Sequence, residues 1–424
     1  MKPKTDPFMA SMVKAISDRR GSSGALLASE FRAHQWGVKL PHLMLEYLFG
    51  LNVLPHPSLI EMAGLPGSCK SAFLQYLLGM YAEYGFSSLL IETEGKMSST
   101  LLESILGENV NLVSLIPGPL MQEEWQAELL QVLKLYRKHY AATLKEHKKT
   151  KGKTPIAAPL LIGLDSLGGS PSSDSMATVD KDGSAGRSFP IEALKNKRYF
   201  EQVPTRIRDL PLTLIYTNHE KPEGMGDAKA FGPPPPRERK TKGGITPAFF
   251  CGIRLFFEQA SKPQRISNGL WQQNLLVEVG KNSFNQKGNK LFLTMEWEKT
   301  VDQDTNEERQ STRFLWGKAL AQFLAPSVPG FNYDRNAVKR FLTVTRSSDT
   351  KFSCKELDLE NVSPEQMGNA IEARPDIVDK LRPYLGIKTL RVWDGTPLSE
   401  GIKVAEEVDL PDPDAEPVGD DTEN

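Results

Sequence analysis

Residues 59–71 read Leu59-Ile60-Glu61-Met62-Ala63-Gly64-Leu65-Pro66-Gly67-Ser68-Cys69-Lys70-Ser71. The apolar opening predicts a short strand, and the glycines and proline predict a turn. From Ser71 to Tyr84 apolar residues fall at 73, 74, 77, 78, 81 and 84. That spacing is helical, and Gly85 is a natural helix end. The turn matches G-x-x-x-x-G-K-[ST] except that Cys69 stands where the last glycine would be. In such a loop, successive amides and the helix N-terminus of residues 64–71 wrap a phosphate. Lys70 reaches the outer phosphates, and the Ser71 hydroxyl ligates Mg²⁺. A side chain in the left-handed turn costs about 1 kcal/mol, so Cys69 does not forbid the loop. The bland alternative is a glycine-rich strand-to-helix turn with no ligand.

Moving outward, three further apolar runs end in polar groups. Ser88–Glu92 reads as a strand, with Glu94 two residues beyond it. A carboxylate at the end of a strand next to the phosphate-loop strand suits the polarisation of water. For Glu94 and its neighbour Glu92 the alternative is a solvated loop acid. Residues 159–165 end in Asp165, placed to hold Mg²⁺ through its water shell or to cap a helix. Residues 212–217 lead to His219, a γ-phosphate sensor or an ordinary turn histidine. Residues 252–257 and 275–279 extend the same rhythm of strands. This alternation predicts an α/β fold with a mostly parallel twisted sheet and helices on both faces. In such a sheet the strand ends face one crevice.

The chain has 424 residues and calls for two or three structural units. Apolar residues at 39% and charged residues at 25% permit a sizeable core. No apolar run approaches the ~18 residues of a membrane span. Cys69, Cys251 and Cys354 lie far apart, so no disulfide framework or zinc site is indicated. A reducing cytoplasm fits.

The net charge of −1 excludes a uniformly basic DNA-coating protein, but charge is uneven. Lys145–Lys153 and Arg237–Lys242 are basic, and beyond Lys403 every charged side chain is an acid. Residues 8–19 form an amphipathic helical pattern. Two polar stretches, 168–188 and 220–244, interrupt the core rhythm; loops of that length in a compact domain are functional or disordered. The expected division is 1–37, an N-terminal segment; 38–303, the core; 304–404, a small mixed C-terminal domain; and 405–424, an acidic tail.

The order of these motifs resembles the RecA family of P-loop ATPases and, within it, the UvsX recombinases of tailed phages. The likeness covers about residues 24–300. It runs from Ala25–Phe31 and Leu40–Gly50 through the 64–71 loop, Ile91–Glu94, Leu164–Gly168 and Ile215–His219. It closes with Thr241–Pro247 and Val279–Asn282. UvsX-type proteins also carry a bulky residue at the place of Cys69, and a histidine at the place of His219.

The resemblance implies ATP and Mg²⁺ as cofactors. Gly64, Gly67, Ser68, Cys69, Lys70, Ser71 and Asp165 would then bind the nucleotide, and Ser71 and Asp165 the metal. Glu94 is the implied catalytic carboxylate, with Lys70, His219 and Lys281 assisting. Lys281 would reach the ATP of a neighbouring protomer. Ser283 stands where RecA has a second lysine, for which Lys287 or Lys290 are substitutes, and Leu101 stands where the family has a base-stacking tyrosine.

The resemblance also makes 168–188 and 220–244 two DNA-binding loops. Arg187, Arg237, Arg239, Lys240 and Lys242 would contact phosphates. Phe231 would stack or wedge, and Gly243 and Gly244 would belong to the second loop. For each charge the alternative is a solvated loop residue. The N-terminal segment would dock on the adjacent subunit or pack on its own core.

The implied function is an ATP-dependent recombinase. It would form a helical homo-oligomer on single-stranded DNA and exchange strands with homologous double-stranded DNA in the cytoplasm of an infected bacterial host. A single-strand-binding protein and a mediator would be further partners, with no membrane partner. The acidic tail would compete with DNA, bind a partner or solubilise. The alternative function is a RecA-fold hexameric helicase or loader; a scaffold with a degenerate loop is a third.

Overall fold

A computed structural model describes residues 11–12, 35–174, 176, 189–220, 239, 241–242, 246–285, 288–301, 308–325 and 335–395. Most of the two predicted loops, nearly all of the 8–19 helix and the whole acidic tail lie outside these residues. So do Arg187, Phe231, Arg237, Lys240, Gly243, Gly244 and Lys287.

The described chain is α/β. In chain order its first strands are β1 (Trp36–Lys39), β2 (Val53–His56), β3 (Ser58–Gly64), β4 (Ser88–Glu92), β5 (Val113–Ile116), β6 (Leu160–Asp165), β7 (Leu212–His219) and β8 (Ile253–Gln259). After these come β9 (Gln264–Arg265), β10 (Leu270–Asn282), β11 (Lys290–Val301), β12 (Glu308–Phe314), β13 (Val344–Ser348), β14 (Lys351–Cys354), β15 (Leu359–Val362) and β16 (Arg391–Val392). The helices used below are α1 (Leu43–Phe49), α2 (Lys70–Glu83), α3 (Ser99–Leu106), α4 (Gln122–Lys149), α5 (Phe189–Ile207), α6 (Thr246–Phe250) and α7 (Trp316–Leu324).

A ten-stranded mixed sheet runs β12-β11-β10-β8-β3-β7-β6-β4-β5, with β9 paired to β10. The six strands from β8 to β5 are parallel, and β10, β11 and β12 continue the sheet antiparallel. Every residue of β3 is buried, as expected of a central parallel strand.

The predicted strands and the helix after the glycine-rich turn all form. Gly85 follows α2 at φ 73°, and its amide bonds back to the Ala82 carbonyl. One expectation of adjacency is corrected. The strand leading to Glu94, β4, is not next to β3: β7 and β6 stand between them. Crossover connections need not join spatial neighbours, so order along the chain does not fix order across the sheet.

Residues 35–396 form one compact unit. Its buried core is continuous from Val38 through Phe73 and Phe257 to Phe323, Phe352 and Leu390. The 303/304 boundary therefore falls between β11 and β12, which pair over seven residues. A small sheet, β16-β1-β2, joins the two ends of this unit. Asn52 clamps it by donating to the Leu390 carbonyl and accepting from the Leu390 amide.

His56 ends β2 in that sheet, buried opposite Trp36 of β1. Thr213 spends its hydroxyl proton on the Pro55 carbonyl, so His56 Nδ1–H donates to Thr213 Oγ1 at 2.9 Å. His56 Nε2 then accepts from the Tyr81 hydroxyl at 2.8 Å. Burial holds the imidazole neutral, with its pKa depressed to about 3. An unfolded histidine takes up a proton near pH 6.5, so between pH 6.5 and 3 the unfolded state binds more protons and stability falls as pH falls. The urea midpoint should decline from pH 7 to 5.5, at up to about 1.4 kcal/mol per pH unit from this group. His56→Gln should flatten that decline; an unchanged slope in the variant would remove His56 as its source.

Candidate nucleotide-binding crevice

The carboxyl ends of β3, β7, β6 and β4 meet at one crevice. Parallel register sets Gly64 opposite His219 and Glu92 opposite Asp165. The 64–71 loop turns back over β3. Gly67 has φ 77°, and Cys69 adopts the left-handed conformation expected of it, φ 62° and ψ 22°. Burial pushes the Cys69 thiol up to about 12, so it stays protonated and acts as a packing group. A side chain at Gly64 would meet the Phe257 carbonyl at 2.4 Å, so the start of the loop admits only glycine.

Lys70 is the first residue of α2 and is buried. Its ammonium donates to the carbonyls of Gly64 (3.0 Å) and Leu65 (2.9 Å) and to Ser68 Oγ (3.2 Å). Burial lowers its pKa, opposed by Asp165 and Glu94. The first amides of α2 have no acceptor inside the helix and face the loop. The Ser71 hydroxyl bonds Asp165, whose pKa is raised by burial against hydrogen bonds from Thr217 and Ser71.

This donor set fits a nucleoside polyphosphate with Mg²⁺. A buried ammonium and free helix amides suit phosphate. A hydroxyl beside a carboxylate supplies the hard oxygens that Mg²⁺ takes alongside phosphate and water. Among the described residues no group of three or more His, Cys, Asp or Glu is placed to hold a metal by itself.

Glu94 faces the same crevice. It accepts from Ser166 Oγ (2.6 Å), His219 Nε2 (3.0 Å) and Lys96 Nζ (2.9 Å). Partial burial opposes ionisation, but these three donors prevail and hold its carboxyl at about 2. Gly169 lies under it, where a Cβ would meet Glu94 Cγ at 2.4 Å. Glu92, read as solvated on one account of the sequence, is buried. Its carboxylate accepts the amides of Glu94, Gly95, Lys96 and Gly118. It shapes the turn that aims Glu94, a role the sequence pattern does not reveal.

A second buried network supports β7. Glu61, on β3, accepts from Arg254 on β8 and from Asn218 on β7. Asn218 also donates to the Lys242 carbonyl and accepts the His219 amide. Glu220 closes the group: its amide bonds the Gly64 carbonyl at 3.1 Å, and its carboxylate binds Arg239. The crevice is thereby bonded to the end of the second predicted loop.

The remaining expected residues lie elsewhere. Arg239 is held by Glu220, Glu258 and Glu278 and stacks over Phe256, so its charge is satisfied within the protein. Lys242 packs along Gly168 at the base of the first loop. Lys281 is level with Arg254, three residues short of the Phe257–Gly64 level, and donates to the carbonyls of Ala248 and Phe249 at the end of α6. It does not reach the crevice of its own chain. Lys290 pairs with Glu278, and the Ser283 amide bonds the Gly252 carbonyl.

One feature escaped the sequence reading. The β10–β11 ribbon overruns the end of β8, and Gln273 donates to the Gly67 carbonyl at 2.9 Å. Two residues on, and so on the same face, Trp271 and its cross-strand partner Trp297 stack at 6.4 Å and 6°. The paired aromatics therefore stand beside the loop. No family model matches the chain, and no curated protein shows significant similarity to it.

Glu92→Gln would turn an amide group toward four main-chain donors. We expect a loss of about 2–4 kcal/mol in unfolding free energy, measured by urea titration. A change below about 0.5 kcal/mol would show that the 93–96 turn does not depend on this carboxylate.

Proposed function

We propose that the chain is a RecA-type ATPase of the UvsX kind, which polymerises on single-stranded DNA and exchanges strands with a homologous duplex. The observation that carries the ATPase part is the meeting of Lys70, Ser71, Asp165, Glu94 and His219 at the ends of β3, β6, β4 and β7. The DNA part rests on the order of motifs and on the bonding of Glu220 and Asn218 to both the crevice and residues 239–242.

Under this reading Lys70 leaves its loop carbonyls for the phosphates, and Ser71 and Asp165 hold Mg²⁺, Asp165 partly through water. Bound Mg²⁺ supplies charge neutralisation at the phosphate oxygens. A carboxyl held at about 2 is ionised at neutral pH and is a weak base. Glu94 therefore orients and polarises water more than it removes a proton. His219 donates to Glu94 and sits one residue before Glu220, so a change at the phosphates reaches the second loop through this pair.

Trp271 and Trp297 offer the base the stacking face that Leu101 lacks. Lys281, which does not reach its own crevice, would exchange the Ala248 and Phe249 carbonyls for a neighbour's ATP across a protomer interface. ATP between protomers would let nucleotide control the DNA-bound state. Arg187, Arg237, Lys240 and Lys242 remain the proposed phosphate contacts, with Phe231 stacking and Gly243 and Gly244 in the loop. Single-strand-binding and mediator proteins are the proposed partners, in the cytoplasm of a bacterial host. Among the described residues no helix is long and apolar enough to cross a membrane.

Lys70→Ala should abolish ATP hydrolysis with an unchanged circular dichroism spectrum; retained turnover would refute the site. Single-stranded DNA should stimulate the wild-type ATPase, and electron microscopy with a slowly hydrolysed analogue should show open helical filaments. Equal rates with and without DNA would break the coupling, and closed hexamers would favour a helicase. Trp297→Ala should raise the KM for ATP about tenfold, as expected for losing one aromatic–base stack. An unchanged KM would move the base elsewhere.

A further inference from the structure

Helix α4 is 28 residues long, about 42 Å at 1.5 Å per residue. Its first turn lies beside the start of the first predicted loop: the Gln122 amide bonds the Pro171 carbonyl, and Glu123 binds Ser173 and Lys195. Its second half reaches the opposite end of the sheet. There the Tyr136 hydroxyl contacts the Ala158 and Pro211 carbonyls, just before β6 and β7, and Thr143 accepts the Ala157 amide. Trp125, Leu129, Leu133, Tyr140 and Leu144 form the buried face.

Between residues 134 and 153 the sequence carries eight lysines and arginines against one acid, Glu146. At 100° per residue, Lys134, Lys138, Lys145, Lys148 and Lys149 fall within an arc of about 100°. That arc lies away from the buried face, and all five residues are exposed. Glu146 is outside it and pairs with Lys149, at 3.7 Å. Lys134, Lys138 and Lys145 make no ion pair among the described residues. The stripe is straight and about 22 Å long, with steps of about 6 and 10 Å. Beyond the stripe the charge is offset: Arg137 bonds the Arg206 carbonyl and Arg208 pairs with Asp209 at 3.6 Å, so the site is confined to the lysines of α4.

Exposed lysines held on one face of a rigid helix repel one another and gain most from a polyanion that releases counterions on contact. The spacing suits phosphates along a backbone, and between Lys134 and Lys149 the one apolar side chain in the arc is Ala141, a methyl group too small to anchor in a lipid layer. We propose that this stripe is a nucleic-acid phosphate-backbone site, at the end of the sheet opposite the nucleotide crevice and separate from the two predicted loops. It reads charge, not sequence. The proposal does not depend on the ATPase reading.

The test uses the full-length chain carrying Lys134→Ala, Lys138→Ala and Lys145→Ala together, with the triple Lys→Arg variant as control. Binding of labelled single-stranded and duplex DNA of mixed sequence is measured from 50 to 200 mM salt. An unchanged urea midpoint establishes that each variant is folded, whether or not the protein hydrolyses ATP. The alanine variant should bind one or both forms roughly 10- to 100-fold more weakly, and its salt slope should flatten by about 2–3, while the arginine variant binds like wild type. Loss on duplex alone assigns the stripe to duplex, and loss on both assigns it to either form. Unchanged affinity and slope for both forms would overturn the proposal. So would unchanged DNA binding together with weakened binding of a synthetic peptide of residues 404–424, which would give the face to the acidic segment instead.

Discussion

The crevice depends on the parallel register of four strands. Gly64 stands opposite His219, and Glu92 opposite Asp165, because β3, β7, β6 and β4 are paired without slippage. A shift of one residue would turn Asp165 away from Ser71 and His219 away from Glu94. The register is secured by continuous burial of the strands, since a slip would exchange the faces on which their Leu and Ile residues pack and draw the polar strand ends toward the core. The geometry of the crevice and core packing are therefore the same constraint here.

Around that register the protein buries charge and satisfies it. Glu61 is fully buried yet paired with Arg254 and Asn218. Glu92 is buried under four amides. Each would be costly if left alone, and each fixes a neighbour that faces the crevice. Glu61 positions β7 through Asn218, and Glu92 positions the turn bearing Glu94. Glu94 itself is held on both oxygens, by His219 and Ser166 on one and by Lys96 on the other. The result is a carboxylate held in one orientation by the protein's own donors.

Much of this was legible in the sequence because it is local. The strand–turn–helix at 58–83, the acids and histidine ending three other strands, and the left-handed Cys69 follow from short patterns of residue type. What was not legible depends on distant partners. Glu92 and Glu94 look alike in Ile91-Glu92-Thr93-Glu94; only the return of Gly118 and the strand order separate a fully buried support from a partly buried carboxylate that faces the crevice. The position of β4, separated from β3 by β7 and β6, follows from crossovers that no residue type encodes. Trp271 and Trp297 became relevant only because β10 overruns β8 beside Gly67. The union of the 308–395 segment with the core, closed by β16 on β1, spans some 350 positions of sequence and leaves no local mark.

The two ends of the sheet thus carry different chemistry: converging donors and carboxylates at one, and a ridge of exposed lysines at the other, with α4 running between them. The central claim is that Glu94 acts on the water that attacks a nucleotide held by the 64–71 loop. Single-turnover hydrolysis of ATP by Glu94→Gln, measured with saturating protein and alongside the Kd for ATP, tests it most directly. The account predicts an unchanged Kd, because Lys70, Ser71 and Asp165 are intact, and a rate reduced by about 10²–10⁴. A rate within about threefold of wild type at an unchanged Kd would contradict it.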